Sequence, residues 1–336
     1  MIILKEEIRD LVARTLADEP VSMKEAETLF EVPLFSDEAG LLLSAGRRKS
    51  EQASGGVAEV HAQVGLNVGA CPKNCLFCAF AAINGIFNGM RMLPIEEVVE
   101  RAVAFEAQGA NAIYLMETAS HPFDRFLEVG REARRALKAG TPIVANTGDL
   151  DPRQAMALLE AGFSGIYHAE RLGEGRDTTL DPEKRRETMR IGREAGLVVG
   201  TCVEPVGPEH TAAELAEKTF TAVAALPAFS GAARRIAIPG TQMANRGMTD
   251  KARMALVIAA VRLLTPLSVP GNCTHEPDGI GAFAGANLLW AEAGSNPRDT
   301  SEKTEKERGM SVGECRTILE EAGWKVLQGP SSFFRS

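Results

Sequence analysis

The chain has 336 residues and a formal net charge of −8 at pH 7. That length suits one large barrel domain with extensions, since barrels of about 250 residues are common. The acidic balance and the lack of a Lys/Arg cluster argue against a nucleic-acid partner, because phosphate binding needs clustered cations. The apolar run 1–4 is too short for a signal sequence, and no run approaches the roughly 18 residues of a membrane span. We therefore expect a cytoplasmic protein with no membrane partner.

Helices are predicted at the start of the chain, and strands then alternate with helices. Residues 5–50 carry apolar residues at helical spacing and cap signals, which predicts three helices. Eight strands are predicted at 60–68, 112–116, 142–145, 165–168, 197–203, 235–239, 267–269 and 287–290. Helices are predicted at 94–108, 124–138, 152–161, 182–195, 212–226, 249–264 and 311–322.

This alternation predicts parallel strand pairing, and eight parallel strands close as a (β/α)8 TIM-type barrel. The alternative is an open doubly wound sheet, and in both folds ligands gather at the carboxyl ends of the strands. We predict a helical extension at 1–55, a barrel at 56–295 and a further extension at 296–336 that packs on the barrel. Residues 292–309 are polar and charged, which predicts a linker or flexible segment.

Three cysteines, Cys71, Cys75 and Cys78, follow the first predicted strand with the spacing C-x3-C-x2-C. Three thiolates on one short loop can hold three irons of a 4Fe-4S cluster, which leaves the fourth iron open to a small molecule. A zinc knuckle is the alternative, but it needs a fourth ligand and no second cysteine pair lies nearby. A disulfide is disfavoured in a cytoplasmic chain.

The cysteine motif resembles the signature of the radical S-adenosylmethionine (SAM) enzymes, and residues 36–295 resemble their biotin synthase branch. That branch also contains the hydrogenase maturase, methylornithine synthase and the two-protein lipoyl synthases. The resemblance implies a 4Fe-4S cluster and SAM as cofactors and an electron donor such as ferredoxin or flavodoxin. By the same resemblance the SAM-binding residues are Phe77 and Pro239 near adenine, Glu170 at the nucleoside, Glu117 at the amino group and Arg185 at the carboxylate. The alternatives are a solvated helix face for Arg185 and a turn cap for Glu117.

Three further cysteines are Cys202, Cys273 and Cys315. The resemblance to lipoyl synthase implies that they hold an auxiliary 4Fe-4S cluster together with Ser332, with Cys315 carried over the barrel mouth by the polar linker. Packing is the alternative for each, since free cysteine is often buried. Pocket-lining or structural roles are both open for His168, His275 and Glu276.

The resemblance therefore predicts a radical SAM enzyme that inserts sulfur into an unactivated C–H bond. Because only Cys202 matches the cysteines that hold the second cluster of biotin synthase, the predicted product class is a lipoyl group built on an octanoyl chain. The expected partners are a small-molecule or carrier-bound acyl substrate and a second radical SAM protein. The alternatives are a mutase or cofactor-maturation enzyme without an auxiliary cluster, and a non-catalytic iron-sulfur scaffold or electron carrier.

Overall fold

The computed structural model describes residues 6–334, in which eight parallel strands form the centre of the molecule. The strands are β1 Val57–Gly65, β2 Ala112–Met116, β3 Ile143–Asn146, β4 Gly165–Tyr167, β5 Val198–Gly200, β6 Phe229–Arg234, β7 Gly271–Cys273 and β8 Leu288–Gly294. The helices are α1 Glu6–Leu16, α2 Met23–Phe30, α3 Asp37–Ser54, α4 Ile95–Ala107, α5 Phe123–Ala136, α6 Pro152–Glu160, α7 Pro182–Ala195, α8 Ala212–Ala224, α9 Lys251–Leu264, α10 Gly279–Phe283 and α11 Val312–Glu321. Residues 1–5 and 335–336, which belong to the two predicted extensions, lie outside the described residues.

The sheet closes on itself because β1 pairs in parallel with β2 on one side and with β8 on the other. Every neighbouring pair from β2 to β8 is also parallel. Helices connect the successive strands, so the predicted (β/α)8 barrel is confirmed and the open sheet is wrong. The carboxyl ends of all eight strands therefore meet at one rim, where ligands bind in this architecture.

Two strands differ from their predicted positions. The sixth strand is Phe229–Arg234 rather than 235–239, and the seventh is Gly271–Cys273 rather than 267–269. Both observed strands are rich in small residues, which have low strand propensity but fit where neighbouring backbones approach closely. At Gly231, for example, an added Cβ would lie 2.1 Å from the carbonyl oxygen of Cys273. The β-branched residues of 235–239 instead follow the strand and contribute side chains to the rim.

The first three helices pack on the outside of the barrel near α9. Gly46 of α3 permits this contact, since an added Cβ would lie 2.8 Å from Ala259. Apolar residues of α1, α2 and α3 share one buried cluster with residues of α8 and α9. Burial of that shared face stabilises both layers. The division of the chain at residues 55 and 295 stays a prediction.

Residues 292–309 are ordered against the barrel, so the predicted linker is wrong. The buried carboxylate of Glu292 accepts hydrogen bonds from Arg298 at 2.5 Å and from Arg308 at 3.0 Å. Asp299 is buried as well and accepts from Arg308 at 3.0 Å. The composition resembles that of a solvated segment. The opposite charges pair with one another, however, and this pairing offsets the cost of removing them from water.

Residues 331–332 bind the amino-terminal end of the barrel. The amide and hydroxyl of Ser332 each donate to Oε1 of Glu59, both at 2.7 Å, and Ser331 donates to the other carboxylate oxygen. Glu59 lies near the start of β1, and its Oε2 is also 2.9 Å from Nε2 of His61. The hydrogen bonds thus hold this segment at the rim opposite to the carboxyl ends of the strands.

The next two residues, Phe333 and Phe334, fill the barrel interior. Their rings lie 6.3 and 5.8 Å from the His61 ring, centroid to centroid. Gly165 of β4 makes room, since an added Cβ would lie 2.7 Å from the Phe334 ring. The interior is therefore packed from below, as in barrels whose centres are solid.

We expect Phe334→Ala to lower the free energy of unfolding by about 3 to 5 kcal/mol, because it leaves a cavity inside the barrel. Urea unfolding of the apoprotein, followed by circular dichroism, measures the change. Phe35→Ala is the matched control, since Phe35 is 92% exposed, and it should stay within about 0.5 kcal/mol of the parent. Equal midpoints for Phe334→Ala and the parent would contradict the buried position of this ring.

Candidate active site

The cysteine loop lies at the carboxyl-terminal rim, directly after β1. The amide of Cys71 donates to Phe80 O at 2.7 Å, and that of Cys78 donates to Cys75 O at 2.9 Å. The side chain of Asn84 donates to Cys78 O at 2.9 Å. These backbone hydrogen bonds fix a tight loop in which the three thiols line the same cleft.

The donor set of this loop fits the predicted cluster. Each of the three cysteines is partly exposed, and none of them forms a disulfide. Burial raises the pKa of the Cys75 thiol to about 11, and burial also raises that of Cys78. Because metal ligation requires thiolates, binding of iron would displace these protons. Three thiols that lie on one short loop and line the same cleft are the ligands that a cluster with one open iron requires.

Three of the predicted SAM-binding residues, Phe77, Glu117 and Arg185, line this cleft. Arg185 is buried, and its guanidinium donates to Ala169 O at 3.0 Å and to Oδ1 of Asp149 at 2.9 Å. These partners fix the guanidinium at the cleft wall, so a solvated helix face is excluded. The side chain of Glu117 is buried with its Oε2 2.7 Å from Nδ1 of His121, and burial raises its pKa.

Two predicted SAM-binding residues lie elsewhere, and this corrects the prediction. Glu170 turns away from the cleft and binds Arg186 at 2.6 Å and Lys218. Pro239 is exposed at the end of its loop, while Ile236 and Ile238 line the cleft. In both cases adjacent side chains point in different directions. A match to a motif therefore does not define which of two neighbouring residues faces the cleft.

Arg171 and Glu204 are cleft residues that the sequence reasoning missed. Nε of Arg171 lies 3.4 Å from Oε1 of Glu204, and the other carboxylate oxygen lies 3.3 Å from Nδ1 of His275. Burial raises the pKa of Glu204, but His275 and the two nearby arginines lower it to about 2. The signal available in the sequence was a charged residue a few positions beyond each of two strand ends, Arg171 after β4 and Glu204 after β5.

His275, Glu276 and His168, for which pocket-lining and structural roles were both open, have three different environments. His275 lines the cleft, with its ring 4.6 Å from that of Trp290. Glu276 accepts from Arg298 and Arg308, both at 2.9 Å, and so belongs to the ion pairs that hold residues 292–309. His168 is buried beside Asp149, and burial lowers its pKa to about 3, so it is neutral.

The structure brings only two of the four predicted auxiliary ligands together. Cys202 and Cys273 lie in the buried cluster inside the barrel. Cys315 lies on α11 among the residues that pack on the outer face of the sheet, and its thiol donates to Trp290 O at 3.3 Å. Ser332 lies at the amino-terminal rim on Glu59. Pairing of the charges in 292–309 holds that segment against the barrel, so Cys315 does not reach the mouth.

Comparison with known proteins places these features in a family. A model described as the radical SAM superfamily matches residues 68–219. Biotin synthase of Chromohalobacter salexigens is 30% identical over 258 residues, which are 74% of this chain and 68% of that protein. The chain belongs to the radical SAM superfamily, in its biotin synthase branch. Membership implies a 4Fe-4S cluster and SAM, and the three loop cysteines have the family spacing.

Other members of the branch match with different coverage. Biotin synthase of Geobacter metallireducens is 28% identical over 80% of this chain and 84% of that protein. For Thermus thermophilus the identity is 31%, over 56% of this chain and 59% of that biotin synthase. The chain therefore spans between about three fifths and four fifths of the lengths of these three biotin synthases.

Two solved structures share the fold. The FeFe-hydrogenase maturase HydG from Carboxydothermus hydrogenoformans superposes with a TM-score of 0.79 at 18% identity, covering 98% of this chain and 81% of that one. Methylornithine synthase (PylB) superposes with a TM-score of 0.75 at 17% identity, covering 96% and 98%. Within residues 6–334, every helix is too short or too polar to span a membrane.

We expect Arg185→Ala to weaken SAM binding about tenfold to more than a hundredfold, since loss of a charge-assisted hydrogen bond costs about 1.5 to 3 kcal/mol. Anaerobic calorimetric titration of cluster-loaded protein measures the affinity, and the cluster absorption should not change. Arg186→Ala is the matched control, because that side chain is 46% exposed and pairs with Glu170 outside the cleft. Equal SAM affinities of the two variants would remove Arg185 from the site.

Proposed function

We propose that this radical SAM enzyme inserts sulfur into an unactivated C–H bond of an octanoyl chain, as a lipoyl synthase-like sulfurtransferase. The observation that carries the proposal is the position of two buried thiols, Cys202 and Cys273, directly beside His275 of the cleft that holds the cysteine loop. The kinship with biotin synthases, from which sulfur insertion was predicted, supports it as well. Because a barrel of this kind hosts many chemistries, the function depends on the residues of the site and not on the fold.

One set of cleft residues is suited to SAM. When bound by Cys71, Cys75 and Cys78, the cluster supplies the electron that cleaves SAM to methionine and a 5'-deoxyadenosyl radical. The guanidinium of Arg185 matches a carboxylate, and the carboxylate of Glu117 can accept from an ammonium. Apolar side chains suited to an adenine ring are contributed by Phe77, Ile236 and Ile238.

A second set of cleft residues combines aromatic rings with paired charges. Tyr114, Tyr167 and Trp290 line the cleft and are buried. Arg171 faces Glu204, and the charged groups near the mouth are similarly paired. Since the charges are neutralised by one another, an unbranched acyl chain can lie along the rings. Exclusion of water from such a surface protects a reactive radical from side reactions.

Formation of a C–S bond requires sulfur close to the carbon that has lost hydrogen. The thiol pair lies inside the barrel at the same end as the cysteine loop, whereas Cys315 and Ser332 do not. A lipoyl group contains two C–S bonds, whereas the described residues provide one thiol pair that can hold a sulfur donor beside the cleft. A second radical SAM protein is therefore the proposed partner, with ferredoxin or flavodoxin as the proposed electron donor.

A mutase or cofactor-maturation activity, without sulfur transfer, is the second candidate. It is favoured by the density of ionic groups in the cleft, because guanidinium and carboxylate groups also suit the two charged ends of an amino acid. Arg171 and Glu204 would exchange their mutual pairing for those ends. Displacement of Cys315 and Ser332 from the predicted cluster also favours this candidate.

The proposed activity is tested with anaerobically reconstituted full-length protein, SAM, dithionite and an octanoylated carrier peptide. We expect 5'-deoxyadenosine together with a peptide that has gained one sulfur atom, both detected by mass spectrometry. Cys75→Ala should form neither product, because one iron loses its protein ligand. Cys315→Ala is the matched cysteine control and should form both.

The two candidates give different products in this assay. The mutase would replace sulfur insertion under two conditions. The protein would form 5'-deoxyadenosine and rearrange the carbon skeleton of an amino acid, and the octanoyl peptide would gain no sulfur. Full production of 5'-deoxyadenosine by Cys75→Ala would contradict the assignment of the loop itself.

A further inference from the structure

A group of metal-binding side chains lies inside the barrel, apart from the cysteine loop. The ligand atoms of Cys202, Cys273 and His275 all lie within 4.8 Å of one another. The two cysteines are 1% and 0% exposed. Two thiols and an imidazole that converge in a buried place form a donor set typical of thiophilic metals.

The strand arrangement explains why these side chains meet. Cys202 follows β5 and Cys273 ends β7, while β6 lies between these two strands. On β6, Gly231 has no side chain, and a Cβ there would collide with the backbone of Cys273. The two thiols therefore occupy the interior next to a strand with no side chain at that position.

His275 is oriented in the way that a metal ligand requires. Its Nδ1 lies 3.3 Å from the carboxylate of Glu204, while its Nε2 is buried and makes no hydrogen bond of normal geometry among the described residues; the imidazole also interacts with the Cys273 thiol. A buried ring nitrogen without a well-formed hydrogen bond is costly, and a metal ion held jointly with the two thiols would satisfy it. A carboxylate that holds one ring nitrogen while the other binds metal is a common arrangement around metal-binding histidines.

We propose that Cys202, Cys273 and His275 bind one thiophilic metal ion, and that Glu204 positions the imidazole. Three protein ligands leave one position of a tetrahedral site for a non-protein ligand. The inference deepens the proposed function and rests on it only for the identity of that ligand, which would be sulfide on iron. The ligand set itself follows from the geometry, and it replaces the predicted set that included Cys315 and Ser332.

The ligand set is tested on the full-length Cys71→Ala/Cys75→Ala/Cys78→Ala variant, which retains only the inner site. Anaerobic titration with Co²⁺ should give one ion per chain, with thiolate-to-cobalt charge-transfer bands and the visible bands of a tetrahedral site. On this background, Cys202→Ser, Cys273→Ser and His275→Gln should each weaken binding at least tenfold. Glu204→Gln should weaken it about 10- to 100-fold.

Cys315→Ser is the matched control, since its thiol is equally buried but lies on the outer face of the sheet. It should bind Co²⁺ like its parent. No Co²⁺ binding by the parent, or loss of binding in Cys315→Ser but not in Cys202→Ser, would overturn the inference. A Cys202–Cys273 disulfide that persists under reductant, in place of metal binding, would overturn it too.

A second measurement applies should the triple variant not fold. Cobalt-edge X-ray absorption of Co²⁺-loaded wild-type protein, with its loop cluster in place, should show two sulfur neighbours and at least one imidazole. Three sulfur neighbours would instead indicate that Co²⁺ binds to the cysteine loop, and this would contradict the inner site. Co²⁺ binding without sulfur transfer to the octanoyl peptide would remove the proposed function but retain the site. Sulfur transfer by the Cys202→Ser variant would retain the proposed function but remove the inner site from it.

Discussion

The pairing of β8 with β1 closes the barrel, and every functional position depends on that closure. It brings residues 295–298 beside the cysteine loop, where the amide of Ala79 donates to Pro297 O at 2.8 Å. On the same side, Ser295 donates to Asn67 O at 2.7 Å. An open sheet would separate these segments. Closure therefore places the cysteine loop and the residues at the ends of β5 and β7 at the same rim of the barrel.

Opposite charges hold the cleft in shape. Glu204 lies between Arg171 and His275, and Glu292 lies between Arg298 and Arg308. Burial of either carboxylate alone would cost several kcal/mol, which the neighbouring cations offset. The two carboxylates thus connect the rim loops to the barrel wall. Because each is paired inside the protein, the aromatic side chains that also line the cleft are available to a substrate.

The sequence predicts best what depends on local pattern. The C-x3-C-x2-C spacing, the helices with caps and the strand-helix alternation are all local, and the structure agrees with them closely. The strands at 229–234 and 271–273 were predicted at the wrong positions. Their small residues fit because neighbouring backbones pack closely, and this packing leaves no pattern in the local sequence. Arg171 was missed for a related reason, since an irregular segment does not define which of two neighbours faces the cleft.

Long-range contacts account for the remaining errors. The charges of 292–309 look solvated in the sequence, yet they pair with one another and keep Cys315 on the outside of the barrel. Ser332 resembles part of a cluster motif, but its partner is Glu59, which lies 273 residues earlier in the chain. Neither pairing has a sequence spacing from which it could be inferred. The meeting of Cys202 with His275 is equally non-local.

The central claim is that two metal centres share the carboxyl-terminal half of one barrel, and anomalous X-ray diffraction at the iron edge tests it most directly. Crystals of anaerobically reconstituted protein should show one iron peak at Cys71, Cys75 and Cys78 and a second between Cys202, Cys273 and His275. No iron should lie near Cys315 or Ser332. A single iron peak at the cysteine loop, with Cys202 and Cys273 free of metal, would contradict the account.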